Sequence, residues 1–144
     1  MSHTTAIKGV EITDVHALRL AVTDLNAAGV KCSLVENATP RAYYNNQDGL
    51  GKADLVLKLD NAQYDVGLYL KDKNYEARTD FWGNSVEREL GVKDSGVSGE
   101  QQKLGKLYQF YAVNATQRAL NMKGISTRRT TKDDGTIQLM AHVA

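Results

Sequence analysis

Hydrophobic and polar positions alternate through three consecutive segments in the middle of the chain. Residues 53–59, 64–70 and 75–81 each carry mainly apolar side chains at every second position, with mainly polar ones between them. This alternation predicts β-strands, and the turn-forming sequences Asp60-Asn61 and Asp72-Lys73-Asn74 separate them. The pattern therefore predicts an antiparallel meander with one packed face and one polar face.

Apolar residues at helical spacing predict a helix in the N-terminal part that would cover the packed face. It follows a predicted strand at residues 5–12, and Thr13 or Asp14 is its expected N-cap. Gly29 is expected to end it in a left-handed conformation. The buried stripe of this helix consists of Val15, Leu18, Val22 and Leu25.

The C-terminal third combines a second long helix with a hairpin. The helix spans residues 104–123 and stops at Gly124. Residues 128–132 and 136–143 predict two strands, and Asp134-Gly135 between them favours a tight turn with Gly135 at positive φ. The apolar stripe of the helix consists of Leu104, Tyr108, Tyr111, Ala115, Ala119 and Met122.

The remaining segments complete a single fold. Residues 30–36 predict a further strand, whereas residues 37–52, rich in Asn, Gly and Asp, predict an irregular loop. Residues 83–99 predict a polar connection with one helical turn at 85–90. Together the elements predict one α+β domain over residues 1–144. Its two layers are a mainly antiparallel sheet and two helices packed on one face of that sheet.

Composition and charge narrow the classes of function without selecting one. A chain of 144 residues suits one domain, and its net charge of +1 argues against strong attraction to duplex nucleic acid or anionic membranes. No apolar run approaches the ~20 residues that span a bilayer, and the N-terminal sequence lacks the apolar run of a signal peptide. We therefore expect a cytoplasmic protein without membrane association. The single Cys32 agrees, since it can form no internal disulfide, and we interpret it as a small hydrophobe.

No segment matches a motif for catalysis, metal binding or a cofactor. The phosphate-binding loop and the nucleophile elbow are absent, and we expect neither a cofactor nor a metal. His3 and His142 would meet if the terminal strands paired, and acidic residues could then complete a small catalytic site. The alternative is that both are surface or strand-end histidines. Enzymatic activity therefore stays open.

The polar face of the meander is the strongest candidate binding site. Opposite charges on adjacent strands favour cross-strand ion pairs, each worth roughly 0.2–1 kcal/mol, so a solvated charged face is one interpretation. The other is a recognition surface, because Trp, Tyr and Arg dominate the energetics of protein interfaces. Tyr43 and Tyr44, together with Arg41, would flank it. Its predicted members are Lys58, Asp65, Tyr69, Arg78, Asp80 and Trp82.

Two features keep nucleic acid open as a partner. An aromatic platform on a sheet would suit single-stranded RNA, whose bases stack on such rings, although the consensus motifs of sheet-based RNA binders are missing. The C-terminal third also has a local positive bias, which suits either an acidic partner or a solvated face with cations near a helix C-terminus. The basic residues concerned are Arg118, Lys123, Arg128, Arg129 and Lys132.

Three segments carry a resemblance to a known family. They are the opening Met1-Ser2-His3 before a strand, the tract from Tyr64-Asp65-Val66-Gly67 through residues 75–83, and the ending, with residues 107–111 on the long helix and Asp134-Gly135-Thr136-Ile137 in the last hairpin. The chain resembles a family of short proteins of unknown function found in cyanobacteria, in algal plastid genomes as a conserved reading frame, and in phages. The resemblance implies a compact α+β domain and no established activity, so it assigns no functional residue.

These observations support one leading hypothesis and two alternatives. The leading hypothesis is a non-catalytic binding or adaptor protein whose partner is a protein, either a second copy or a host protein. It would act through the open sheet face or the long loops. The alternatives are a small enzyme with a site near His3 and His142, and an RNA-binding module.

Overall fold

The structure is a computed structural model that describes residues 4–42, 51–92, 102–133 and 137–142. Residues 4–10 and Trp82 are described by their backbone alone. The fold is α+β, as the sequence predicts, with an antiparallel sheet, helices against it and a separate hairpin.

Five strands form one antiparallel sheet in the order β1-β5-β4-β3-β2. The predicted meander is its centre, and the register carries the apolar face across it. Leu57 lies opposite Val66, and Val66 lies opposite Thr79, so alternate residues of three strands point to the same side. The strands are β1 (Thr4–Ile12), β2 (Cys32–Ala38), β3 (Ala53–Leu59), β4 (Val66–Lys71) and β5 (Asn74–Asp80).

The first helix begins, and both long helices end, where capping residues predict. The Asp14 carboxylate accepts a hydrogen bond from the Ala17 amide at 3.1 Å, which caps the first helix. Gly29 and Gly124 have φ of 96° and 80°, so each supplies the left-handed residue that follows a helix. None of the helices in the described ranges is long and apolar enough to cross a membrane. The helices are α1 (Val15–Ala27), α2 (Ser85–Leu90) and α3 (Gly105–Met122).

The core lies between the sheet and the two long helices. Leu18 and Leu25 of α1 and Leu107 of α3 are fully buried, as are Leu57 and Leu68 of the sheet. Burial of each such side chain favours folding by roughly 1.5–3 kcal/mol, so this layer supplies the main driving force.

The apolar stripe of α3 is buried only in its first half. Leu104, Tyr108 and Tyr111 are buried, whereas Ala119 is exposed and Met122 is 84% exposed. The second half of the helix instead contacts the hairpin through polar side chains that lie outside the apolar stripe. Helical spacing identifies the stripe but does not tell how far the covering layer extends along it.

The C-terminal hairpin is a two-stranded sheet of its own. It consists of β6 (Ser126–Thr131) and β7 (Ile137–His142). The first strand begins two residues earlier than predicted. The predicted turn Asp134-Gly135 lies outside the described residues, so the positive φ at Gly135 stays a prediction.

Polar contacts join α3 to the beginning of α1. The Tyr111 hydroxyl accepts hydrogen bonds from the main-chain amides of Thr13 at 2.9 Å and Asp14 at 3.0 Å. Arg118 Nε donates to Asp14 Oδ2 at 2.8 Å. These contacts satisfy amides at the N-terminus of α1 that have no partner inside the helix.

Arg129 joins the hairpin to both long helices. Its guanidinium donates to Asp24 Oδ2 of α1 at 3.0 Å and to Asn114 Oδ1 and Gln117 Oε1 of α3, both at 2.8 Å. Asn114 Nδ2 also donates to Asp24 Oδ2 at 2.7 Å. Gln117 Nε2 donates to the Thr127 hydroxyl at 2.9 Å, so the network continues along β6. We call Asp24, Asn114, Gln117 and Arg129 the helix–hairpin network.

Two substitutions at Tyr111 should separate its apolar contacts from its hydrogen bonds. We expect Tyr111→Ala to lower the free energy of unfolding by about 3–5 kcal/mol, because it removes a large buried ring. We expect Tyr111→Phe to cost about 1–3 kcal/mol, because it keeps the ring but leaves two amides without their acceptor. Chemical denaturation of the three proteins measures both. A Phe variant as stable as the wild type would show that water replaces the hydroxyl.

Candidate functional site

The strand register brings several predicted binding residues to the sheet face opposite the helices. Arg78 of β5 lies opposite Gly67 of β4, and Gly67 lies opposite Val56 of β3. Tyr69 lies on the same face two residues beyond Gly67, and Lys58 two residues beyond Val56. We call this side of the sheet the outer face. The alternation of polar and apolar residues was sufficient to predict that these residues share one face.

Asp65 lies immediately before β4 and is 1% exposed. Its carboxylate accepts hydrogen bonds from Arg41 Nε at 3.1 Å and Arg41 Nη2 at 2.8 Å, and from the Arg41 amide at 2.9 Å. The Leu59 amide also donates to it at 3.3 Å, and the Asp65 carbonyl accepts from the Thr79 hydroxyl at 2.9 Å. Asp65 therefore anchors local structure and is not free to meet a ligand.

Arg41 is held on one side and accessible on the other. Besides Asp65, its Nη2 donates to the Leu59 carbonyl at 2.7 Å, yet half of the side chain remains exposed. The hydrogen bond to Asp65 raises the pKa of Arg41, so the guanidinium stays charged. Sequence reasoning placed Arg41 beside the surface but did not predict its pairing with Asp65.

A shallow depression of about 360 Å³ lies at this position. Four charged residues line it: Arg41, Lys58, Asp60 and Asp65. Of these, Arg41, Lys58 and Asp60 are exposed, whereas Asp65 is buried. The depression thus presents the Arg41 guanidinium, the Lys58 ammonium and the Asp60 carboxylate, beside the buried carboxylate of Asp65.

A second group of charges surrounds Tyr69. The Arg78 guanidinium lies 5.6 Å from the centre of the Tyr69 ring, which is within the range of a cation–π contact. Glu76 pairs with Arg78 at 3.0 Å and with Lys71 at 3.2 Å. Burial raises the pKa of Tyr69, with a further contribution from Asp54 and an opposing one from Arg78. The Lys71–Glu76 pair crosses from β4 to β5, as alternating charges favour, whereas Glu76 and Arg78 lie two residues apart on β5.

The outer face is more closed than the sequence predicted. Val56 is fully buried there, and Asp80 is 1% exposed, although both occupy outer positions. Pro40 packs on Gly67, where an added Cβ would lie 3.1 Å from Pro40 Cγ and 2.8 Å from Tyr69 Cε1. Only part of the outer face is therefore accessible to a partner. An apolar Val56 and a strand-interior glycine were the signals of this cover.

The side chains of four other predicted residues are not described by the structure. His3, Tyr43 and Tyr44 lie outside the described residues. Strand β5 ends at Asp80, and the backbone of Trp82 enters a 3₁₀ turn, so Trp82 is not the last residue of the strand. Its indole is not described, and its role stays a prediction.

The described residues contain neither a preformed metal site nor an activated thiol. Within them, no group of three or more His, Cys, Asp or Glu side chains is placed to hold a metal ion. His142 is exposed at the end of β7, opposite Ser126. Burial, together with the charge of Asp60, raises the pKa of the Cys32 thiol to about 11, so the thiol is neutral at physiological pH.

Comparisons of the chain with protein-family models, with curated proteins and with solved structures found no match. The resemblance to the cyanobacterial, plastid and phage family therefore stays a prediction.

Arg41→Met tests the anchoring of Asp65. We expect it to lower the free energy of unfolding by about 1.5–3 kcal/mol, because a buried carboxylate loses its charged donors. Lys58→Met is the matched control, since it removes an exposed cation from the same depression, and it should change stability by less than about 0.5 kcal/mol. Equal effects of the two substitutions in urea denaturation would contradict the anchoring role.

Glu76 should make stability depend on acidity. Burial alone would raise the pKa of Glu76, but hydrogen bonds and charges from Lys71 and Arg78 lower it below its ordinary value of 4.5. Between the pKa of Glu76 in the folded chain and its pKa in the unfolded chain, the unfolded chain therefore binds more protons than the folded one. Glu76 therefore contributes its full stabilisation of the fold at pH values above its ordinary pKa of 4.5, and this stabilisation is lost as pH falls through the pKa of the folded chain.

Thermal melts of the wild type and Glu76→Gln between about pH 7 and pH 3 test this dependence. We expect the wild type to melt at the higher temperature near pH 7, and the difference to close as the solution becomes acidic. A difference that does not change with pH would show that Glu76 gains nothing from its cations.

Proposed function

We propose that this protein is a non-catalytic binding protein that recognises a partner protein through its outer sheet face. The observation that carries the proposal is the state of Arg41, whose guanidinium is fixed by Asp65 and Leu59 while half of its side chain remains accessible. A cation held in this way loses little conformational freedom when a partner binds.

The lining of the depression favours a charged partner segment over a small apolar ligand. Small-molecule sites are deep and mainly apolar, with few polar groups. Here Arg41, Lys58 and Asp60 present charges in a shallow hollow. The two cations and two carboxylates of the lining sum to zero charge, so the depression favours a partner segment with a matching order of charges and rejects one with the wrong order.

The group around Tyr69 offers a second contact region on the same face. Arg78 stacks on its ring, and Glu76 holds Arg78 in that position. Tyr and Arg are the residue types most often found at energetic centres of interfaces. Pro40 and Arg41 belong to the predicted loop 37–52, so the loop and the sheet face contribute to one surface.

Charge reversal at an exposed residue tests the proposal without disturbing the core. The purified wild type, Lys58→Glu and Lys123→Glu would each be immobilised and exposed to a lysate of the native host. Lys123 is an exposed cation at the end of α3, so its reversal is the matched control. Circular dichroism confirms that all three proteins are folded.

We expect a protein that the wild type and Lys123→Glu retain and Lys58→Glu loses. With that protein purified, Lys58→Glu should weaken the dissociation constant at least about tenfold, which is about 1.4 kcal/mol. An identical set of captured proteins for all three baits would contradict the proposal. Capture that disappears after nuclease treatment would favour the RNA-binding alternative instead.

A further inference from the structure

The outer edge of β7 is unlike the other strand edges of this protein. Residues 137–142 read Ile-Gln-Leu-Met-Ala-His, with no Asp, Glu, Lys, Arg, Pro or Gly. All six residues pair with β6 in an unbroken register from Ser126–His142 to Thr131–Ile137. Within the described residues β6 is the one strand that pairs with β7, so the other side of β7 presents a regular row of main-chain donors and acceptors.

The edges of the five-stranded sheet carry features that oppose further pairing. The register of β1 with β5 shifts between Ile7 and Ile12. In β2, Asn37 has φ of 47°, and the neighbouring Glu36 is an exposed charge paired with Arg19. Irregular register and edge charges are the means by which native sheets avoid edge-to-edge association. Strand β7 has neither.

The hairpin also gains more from a third strand than a larger sheet would. Two strands alone are marginally stable in water, and they are stabilised by packing against a helix or by further strands. One face of this hairpin is attached to α3 through the helix–hairpin network, but its opposite face is exposed. Met140 on that face is 46% exposed.

We propose that β7 pairs with β7 of a second copy of this chain, which joins two hairpins into one four-stranded antiparallel sheet. The twofold axis is then perpendicular to the sheet, so opposite residues come from the same face of the two copies. Met140 lies opposite its own counterpart or opposite Gln138 of the second copy. Neither arrangement places a charge opposite a like charge.

Charge selects β7 over β6 as the self-complementary edge. Twofold pairing of β6 about residue 128, 129 or 130, which are the central positions of the strand, would place Arg128 or Arg129 opposite its own counterpart, or Arg128 opposite Lys132. Like charges directly opposite each other destabilise a strand pair. The neutral β7 has no such penalty, and main-chain hydrogen bonds supply the attraction, as in other complexes formed by strand addition.

A single short strand limits the strength of this dimer. Its buried area falls at the low end of specific interfaces, so we expect a dissociation constant on the order of 1–100 μM. Because the described part of each chain offers one such edge, assembly should stop at two chains. The surface is separate from the outer face, so Lys58→Glu should not change the dimer.

Mass measurement during sedimentation tests the pairing across protein concentrations from about 1 to about 300 μM, a range set by that expected affinity. We expect the wild type to move from the 15.8 kDa of one chain toward twice that mass. Met140→Lys places a charge on the pairing edge and should weaken dimerisation at least tenfold. Thr130→Lys makes a matched change on the same hairpin face of β6, and it should dimerise like the wild type.

Hydrogen exchange of the unmodified protein gives a second readout that does not depend on a variant folding. The amides of residues 137–142 that point away from β6 should exchange at least several-fold more slowly at high than at low concentration, and amides of β2 should not change. A wild type that stays monomeric would overturn the proposal. So would equal behaviour of the two lysine variants, a mass above two chains, or exchange at β7 that does not respond to concentration.

Discussion

The packing of α3 against α1 is the contact on which the rest of the structure depends. Five strands spaced about 4.8 Å apart form a layer about 19 Å wide, whereas one helix covers only about 10 Å. The leucine-rich face of the sheet can therefore be closed only by two helices side by side. Helix α1 follows β1 directly, but α3 arrives after all five strands and must find its place beside α1.

Directional contacts fix how the two helices meet. Aliphatic side chains such as Leu18 and Leu107 favour burial but tolerate many relative positions. The Tyr111 hydroxyl meets two amides at the start of α1, and Asn114 meets Asp24 near its end. Two separated contacts set both the distance and the rotation between the helices. Arg129 joins the same junction, so the position of the hairpin follows from that of the helices.

Local periodicity predicted the elements of this fold well, because each element is specified by its own residues. The bounds of β3 and of α2 are those predicted, and Asp14 is one of the two predicted caps. The sequence predicted which residues belong to the outer face, but it did not predict how many of them are covered. The Arg41–Asp65 pair joins residues 24 positions apart through a loop, and no short-range pattern encodes it. The buried Val56 at an outer position was the available signal that chain crosses this face.

The two proposed interaction surfaces differ because they use different parts of the polypeptide. The outer face offers side chains whose positions are fixed by neighbours, so its selectivity depends on the charge and shape of the partner. The edge of β7 offers main-chain groups, which any extended strand can meet, so selectivity must come from what the edge excludes. Strand β6 carries two adjacent arginines, whereas β7 carries no Asp, Glu, Lys or Arg. That asymmetry within a single hairpin leaves one edge able to pair and makes a second β7 its best-matched partner.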